Sequence, residues 1–482
     1  MEGEERLLHS FGKSSMDLLR LRHAQISKLT DVVVHPASVE EVQAVLAFAE
    51  DHDLAVVPWG GGTSVVGGVD PEEGSHRAVL TLSLARLAEP LSLDATSRLA
   101  RFQCGIYGPE IERYLQPRGF TLGHFPQSFE YSTLGGWLST RSSGQESSRY
   151  GDISQMVRGA KLVTPRGLLV WDRSTSEAAG PDLSEVFVGS EGTLGIFVEA
   201  TMRVHPRPPE SRWDAALLPD WYAALEFARE LSQSDETPPS VLRVSDTEET
   251  ALTLEGRAPS ETLGSRFRDR LAPHLLDLKK LDPEAMCLAI ANFQGTASSV
   301  DEGVRRFRQA LRSHGGLDLG RGPGEAWKNE RFALPYLRDE LLSEGYFVET
   351  LETASSWSDL GPLDQEVKTA LRDAAHRGKF PAFVAAHLSH TETTGSGLYY
   401  TLVVPQLPGR EEEQWEALKR AATEAIVHHG GTLSHHHGVG RLHRPWVDQA
   451  RGQLTTRGWR SLKEFYDPKG ILNPGKVHPA SR

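Results

Sequence analysis

Three adjacent histidines, His435, His436 and His437, stand among paired glycines: Gly430 and Gly431 precede them, and Gly438 and Gly440 follow. Imidazoles change charge near neutral pH, and glycines on both sides let the backbone turn sharply and hold side chains in place. Such a run reads equally as a metal-binding tract, a chance cluster or a catalytic group. A second concentration of chemistry lies in the first half of the chain. Gly60-Gly61-Gly62-Thr63-Ser64 follows the apolar run Leu54-Ala55-Val56-Val57, which Pro58 closes. Successive glycines let backbone N–H groups converge on an anion, and the two hydroxyls add donors. The lysine of a Walker loop is missing, as is the spacing of a Rossmann fingerprint; the plain alternative is a flexible turn. Ser190-Glu191-Gly192-Thr193-Leu194-Gly195-Ile196-Phe197 and Ser132-Thr133-Leu134-Gly135-Gly136-Trp137 repeat the arrangement. Three such loops predict a large ligand along a backbone-lined groove, and a dinucleotide with its pyrophosphate suits that better than a small phosphate ester.

The elements that must position these groups alternate along the first two hundred residues. Val39, Val42, Val45, Leu46 and Ala49 fall at helical spacing, which predicts a helix over 39–50, with Ser38 and Glu41 as a capping box. Leu54 to Val57 reads as a buried strand, Pro109 to Gln116 as a helix with proline in its first turn, and Met156 to Thr164 as a strand. His205-Pro206-Arg207-Pro208-Pro209 reads as a linker. Beyond it come amphipathic helices over 221–233 and 415–428, with a polar loop near 405–413. There are no internal repeats and no sustained heptads.

At 482 residues the chain exceeds one ordinary core, so two or three domains are expected. A net charge of −13 disfavours nucleic acid and anionic membrane as main partners, so an anionic ligand must be held by local arginines or backbone donors. Only Cys104 and Cys287 occur, which excludes a disulfide scaffold. The acidic start Met1-Glu2-Gly3-Glu4-Glu5 lacks a signal-peptide pattern, and the tail Ala480-Ser481-Arg482 is not a peroxisomal address. Cytoplasmic localisation is the expectation.

The stretches 58–64, 126–141 and 191–197 resemble the flavin-binding domain of the vanillyl-alcohol oxidase superfamily, the PCMH type. Within it, Phe129-Glu130-Tyr131-Ser132-Thr133-Leu134-Gly135-Gly136-Trp137-Leu138-Ser139-Thr140-Arg141 and the histidine run with its flanks are similar to the alkyldihydroxyacetonephosphate synthases, the ether-lipid enzymes. The resemblance runs from about Lys13 to Val477. It implies an α+β fold: a two-subdomain FAD-binding domain over 1–205, an α+β substrate-binding cap over 206–428, and a C-terminal segment, 429–482, that returns to the flavin. It implies non-covalent FAD held by Pro58, Gly60, Gly61, Gly62, Thr63, Ser64, Pro126, Gln127, Ser128, Ser132, Thr140, Arg141, Ser143, Glu191, Gly192, Thr193, Gly195 and Ile196. One departure stands out: the family's Pro-Asp-Ser is Pro126-Gln127-Ser128 here, which removes a carboxylate beside the flavin.

The resemblance also implies catalytic roles. Arg243, in Val241-Leu242-Arg243-Val244, matches an arginine that meets the substrate, and Arg338, beside Asp339, matches a second. A planar, permanently charged guanidinium suits a phosphate; the alternative for each is a surface or ion-paired arginine. Tyr399 matches a proton-transferring tyrosine, and a phenol with a pKa near 10 needs help to act as a base. By pattern alone it is a strand residue of the core. His435, His436 and His437 complete the catalytic group, the last two before the first. The implied reaction exchanges the acyl group of acyl-dihydroxyacetone phosphate for a fatty alcohol, with flavin N5 as nucleophile. The alternative is FAD-dependent oxidation of a 2-hydroxy acid or alcohol, of the D-lactate or glycolate dehydrogenase type. Metal-assisted members of that class have a histidine where Tyr399 stands and a glutamate where His436 stands, so no metal ligands are assigned here. A flavin-binding protein without catalysis is disfavoured by Arg243, Tyr399 and the histidines. Expected partners are a small-molecule or lipid substrate, a second copy of the chain in a homodimer, and no nucleic acid. Peripheral membrane contact through 336–348 stays open, because an amphipathic run more often faces a core.

Overall fold

The computed structural model describes residues 2–26, 28–172, 175, 178–182, 184–234, 237–255, 281–333 and 336–478. Pro335 and the tail Ala480-Ser481-Arg482 therefore lie outside the described residues. The chain divides into two compact units. The first comprises Met1–Gly144, Gly151–Arg207 and Leu433–Arg482; the second comprises Gln145–Tyr150 and Pro208–Thr432. The C-terminal segment thus packs with the N-terminal unit, and a six-residue excursion at 145–150 packs with the second.

The first unit holds two main sheets. The helix Val39–His52 buries Val42, Leu46 and Ala49 of the stripe its spacing predicts, while Val39 and Val45 are half-buried. Ser38 caps it by accepting from Glu41 N–H at 3.2 Å. The Glu41 carboxylate reaches back to Ala37 N–H at 2.7 Å, so the reciprocal bond closes one residue earlier than an ideal capping box. Asp53, in the left-handed region at φ 59°, turns the chain into the strand Leu54–Trp59. That strand runs parallel to Ala78–Ser83, which pairs on its other side with Val32–Val34. Full burial of each large aliphatic side chain here contributes about 1.5–3 kcal/mol. The second sheet is antiparallel and five-stranded, in the order Pro90–Asp94, Leu99–Gln103, Ile196–Arg203, Val157–Thr164, Gly167–Asp172. The strand expected from Met156 begins at Val157, because Asp152 caps a short helix, Ile153–Met156, through the N–H groups of Ser154 and Gln155. The proline cluster is not all linker: His205–Pro206 pairs with Phe120–Thr121.

The second unit is built on a seven-stranded antiparallel sheet. Its order is Leu317–Gly320, Glu210–Leu218, Cys287–Gly295, Val241–Ser245, Phe383–Ser389, Gly395–Pro405, Tyr346–Ser356. The helices Trp357–Gly378 and Glu411–His428 bury Leu360, Leu363, Val367 and Leu371, and Trp415, Leu418, Ala422 and Ile426. Strand positions turned toward these helices meet polar partners from them: Glu349 takes the Trp415 indole and lies 3.3 Å from Lys419. The run 336–348 is not one amphipathic helix. It is a short helix, Leu337–Ser343, followed by the strand that starts at Tyr346, with Leu342, Phe347 and Val348 buried and Tyr336, Leu337 and Tyr346 exposed. Among the described residues, no helix is long and apolar enough to cross a membrane.

Candidate functional site

The first glycine loop is a cradle that only glycine permits. A Cβ on Gly60 would sit 2.2 Å from Thr133 Oγ1, and one on Gly61 would sit 1.7 Å from the Tyr131 carbonyl oxygen. Gly62 lies at φ 63°, in the left-handed region, beside the Trp59 ring. The loop is thereby pressed against the 131–133 segment. Among the described residues, the backbone N–H groups of Gly61, Gly62, Thr63 and Ser64 donate to no protein acceptor. A row of unused donors beside a left-handed glycine is an anion nest, and these residues fit the pyrophosphate of FAD.

Other expected flavin residues shape the surrounding loops. Gly192, at φ 72°, leaves room for Pro58, whose Cγ would be 2.7 Å from an added Cβ. Gly195 does the same for Leu162, and Ile196 opens a buried strand. Pro126 and Ser128 offer their carbonyls to the turn that follows, accepting from Phe129 and from Tyr131 and Ser132. Gln127 is exposed and Ser143 buried. Several side chains, however, are taken by the protein. Ser132 Oγ donates to Ser128 O and accepts from Trp137 Nε1 at 2.7 Å. Thr140 Oγ1 bonds its own helix at Gly136 O, Thr193 Oγ1 bonds Ser190 O, and Arg141 Nη2 pairs with Glu185 at 2.6 Å. The Glu191 carboxylate accepts from the backbone of Val439 and Gly440. The backbone N–H groups of Ser132, Leu134, Gly135, Gly136 and Trp137 also donate within the protein, as do those of Glu191 and Thr193.

The histidine run lies in the same unit. His435 Nδ1 and His436 Nδ1 are 3.2 Å apart, and the His436 and His437 rings meet edge-on at 4.7 Å. One residue that the sequence reading did not single out belongs here. His124 is buried, its Nε2 bonded to Ser142 Oγ at 2.7 Å and its Nδ1 without a partner. Burial, with the charge of His436, pushes it down to about 3, so it is neutral in the fold. Its signal was weak: one histidine just before Pro126.

Tyr399, Arg243 and Arg338 lie in the second unit. The cross-strand register sets Glu352 opposite Tyr399, Tyr399 opposite His387, and His387 opposite Ser245. Paired positions share a sheet face, so Glu352, Tyr399 and His387 form a row, with Arg243 two residues from Ser245 on the same face. This is the face opposite Tyr400 and Glu349, which meet the two long helices. Glu249, from the helix Thr247–Glu255, ties the row together: its Oε1 accepts from Arg243 Nη2 at 2.6 Å, and its Oε2 is 3.3 Å from His387 Nδ1. Burial alone would raise the Glu249 carboxyl, but Arg243 and His387 outweigh it and hold it well below the usual range. The His387 ring stacks on Tyr399 at 5.0 Å and 26°. Neither Glu249 nor His387 carried a sequence signal: Glu249 is one of several polar residues in Ser245-Asp246-Thr247-Glu248-Glu249-Thr250, and His387 is a lone histidine in an apolar strand.

Burial pushes the Tyr399 phenol up to about 12; a hydrogen bond with Thr350 and the charge of Arg338 act against this, and Glu352 and Glu349 act with it. Within this unit, burial thus favours the protonated phenol. Arg338 does lie against Asp339, at 3.5 Å, as the adjacent acid suggests, while its charge still acts on Tyr399.

In the first unit, the glycine cradle with its unused backbone donors has the character of a dinucleotide-phosphate site. Residues 30–173 match the family described as FAD binding domain, and residues 207–477 the C-terminal domain of FAD linked oxidases. The chain is 38% identical to an alkyldihydroxyacetonephosphate synthase of Dictyostelium discoideum over 98% of its length and 77% of the relative's. It is 31% identical to the synthase of Trypanosoma brucei brucei, over 100% and 78%. A solved alkyldihydroxyacetonephosphate synthase structure, 35% identical, superposes with a TM-score of 0.82 over 98% of this chain and 82% of that one. The chain belongs to the FAD-linked oxidase family, in its alkyldihydroxyacetonephosphate synthase-like branch, and is an FAD-linked enzyme.

Proposed function

We propose that the protein exchanges the acyl group of an acyl-dihydroxyacetone phosphate for a fatty alcohol, yielding an ether and the free fatty acid. The observation that carries this reading is the sheet face that joins Arg243 to Tyr399 through Glu249 and His387. Arg243, its plane fixed by Glu249 at one nitrogen, turns its other donors to the substrate phosphate. Arg338 adds a second positive charge. Tyr399 holds, gives up and regains the single proton that an exchange at carbon must move. His436 and His437, before His435, stabilise negative charge as one carbon–oxygen bond breaks with loss of carboxylate and another forms to the alcohol. The backbone of Gly60 to Ser64 would hold the pyrophosphate of a non-covalently bound FAD, which would supply a nucleophile at N5, and Pro58, Gly192 and the 126–128 turn would shape the neighbouring wall.

The test is anaerobic mixing of the FAD-loaded enzyme with acyl-dihydroxyacetone phosphate and a labelled fatty alcohol. Labelled ether and free acid should appear while the oxidised flavin spectrum persists. Bleaching of the flavin by a 2-hydroxy acid, with no ether formed, would overturn the reading in favour of a dehydrogenase.

A further inference from the structure

The closing run of the first unit, through Asp467-Pro468-Lys469-Gly470-Ile471-Leu472-Asn473-Pro474-Gly475, has no part in the chemistry above, yet it is densely bonded to the loops that do. Val56 N–H donates to Ile471 O, and Asn473 N–H donates to Val56 O, each at 2.8 Å, so the tail lies along the strand that feeds the glycine cradle. Lys463 Nζ donates to the carbonyls of Thr193 at 2.7 Å and Leu472 at 2.6 Å. Asn473 is buried, and its Nδ2 donates to Gly68 O at 3.1 Å and Glu191 O at 2.7 Å.

Glu191 passes this restraint on. Its backbone sits at φ 51°, in the left-handed region, and its buried carboxylate accepts from Val439 N–H at 2.5 Å and Gly440 N–H at 2.8 Å. These amides belong to the turn that leaves the histidine run, where Gly438 lies at φ 85° and Gly440 at φ 54°. Just beyond it, Arg441 and Leu442 N–H donate to Val66 O at 3.0 and 3.1 Å, and on the histidine side two N–H groups converge on the one Glu191 carboxyl group as a clamp. Its left-handed φ favours glycine at 438, and a Cβ there would sit 3.0 Å from Glu191 Oε1, so the carboxyl group would have to give way.

We propose that Glu191 and Asn473 form a clasp that fixes the turn behind His436 and His437. Both act as positioning residues, and Glu191 does so in place of a flavin contact. The catalytic part of this proposal rests on the reading that the histidines take part in turnover. A misplacement of about 1 Å at reacting groups costs on the order of 10²-fold in rate, so a loosened turn reads out as a loss in kcat.

The experiment uses the FAD-loaded enzyme and its Glu191→Gln variant. Hydrogen exchange over 434–443 should quicken at least 10-fold, kcat should fall at least 10-fold with KM unchanged, and the flavin-to-protein ratio should hold. Asn473→Ala should give the same pattern more weakly, and it serves if Glu191→Gln does not fold. Loss of FAD with unchanged exchange at the turn would make Glu191 a flavin ligand and overturn the clasp. Faster exchange with undiminished turnover would also overturn it, and His436→Ala locates the fault. If that variant is impaired, the clasp is wrong; if it is fully active, the reading of the histidines is wrong and the catalytic role of the clasp goes with it.

Discussion

Arg243 shows why a guanidinium, and not merely a positive charge, stands on the sheet face. One of its nitrogens is held by Glu249 at 2.6 Å, and its carbon lies 5.9 Å from the Trp327 ring centre, so its plane is set before any ligand arrives. Lysine keeps the charge but loses the fork. Arg243→Lys is expected to raise KM for the phosphorylated substrate about 10-fold or more while leaving the flavin spectrum unchanged; steady-state kinetics on the purified variant decide, and an unaltered KM removes Arg243 from the phosphate. Tyr399→Phe keeps the stack on His387 and deletes only the hydroxyl. It should fold and bind FAD normally, and kcat should fall by about 10²-fold. Full activity in this variant, joined to chelator-sensitive oxidation of a hydroxy acid, would sink the exchange reaction.

At the scale of elements, the glycine loop depends on contact with the segment before the helix Leu134–Thr140, which Thr133 caps. Because an added Cβ on Gly61 meets backbone at 1.7 Å, no flexible side chain can give way. Gly61→Val should therefore force the loop off the 131–133 segment and abolish flavin retention. The visible absorbance of the purified variant, with and without added FAD, reports this directly; a fully yellow variant would mean that the loop does not hold the dinucleotide. Thr193 and Ser132 belong to the same scale, since their hydroxyls bond the loops themselves, and their loss should act through loop order.

Across the whole molecule, several buried ionisable groups oppose one another as pH changes. Burial, aided by Lys463, Arg460 and Arg444, pushes His478 down to about 4, and it pushes His124 to about 3. Both stay neutral in the fold while the unfolded chain takes up protons near 6.5. Their contribution is present above about 6.5 and is lost as pH falls toward 4 and then 3. Glu191 has the opposite sign: burial raises it to about 7, so its contribution is present below its ordinary 4.5 and is lost as pH rises through 7. His478→Gln should flatten the fall in stability between pH 6.5 and 4 by about one proton, or roughly 1.4 kcal/mol per pH unit. Urea midpoints measured across that range test it, and parallel curves for wild type and variant would show that His478 is not held neutral.

Much of the architecture was legible in the chain because it rests on local rules. The stripe Val42, Leu46, Ala49 and the Ser38 cap announced a helix, and the glycine run Gly60-Gly61-Gly62 announced a tightly turned loop. Glycine's tolerance of left-handed backbone is a property of the residue itself, visible before any fold. The family motifs likewise marked Arg243, Tyr399 and the histidines as residues to examine. Tertiary structure alone determined the environments. Tyr399 is raised by burial beside Glu352, and that enclosure comes from strands far apart in the chain. Glu249 and His387 join the sheet-face row only because strand register brings their elements together. Glu191 sits in a glycine motif that suggests a flavin contact, but its carboxylate meets amides 248 and 249 residues away. Helix stripes, caps and turns depend on neighbours along the chain, whereas a proton's position and a buried carboxylate's partners depend on neighbours in space.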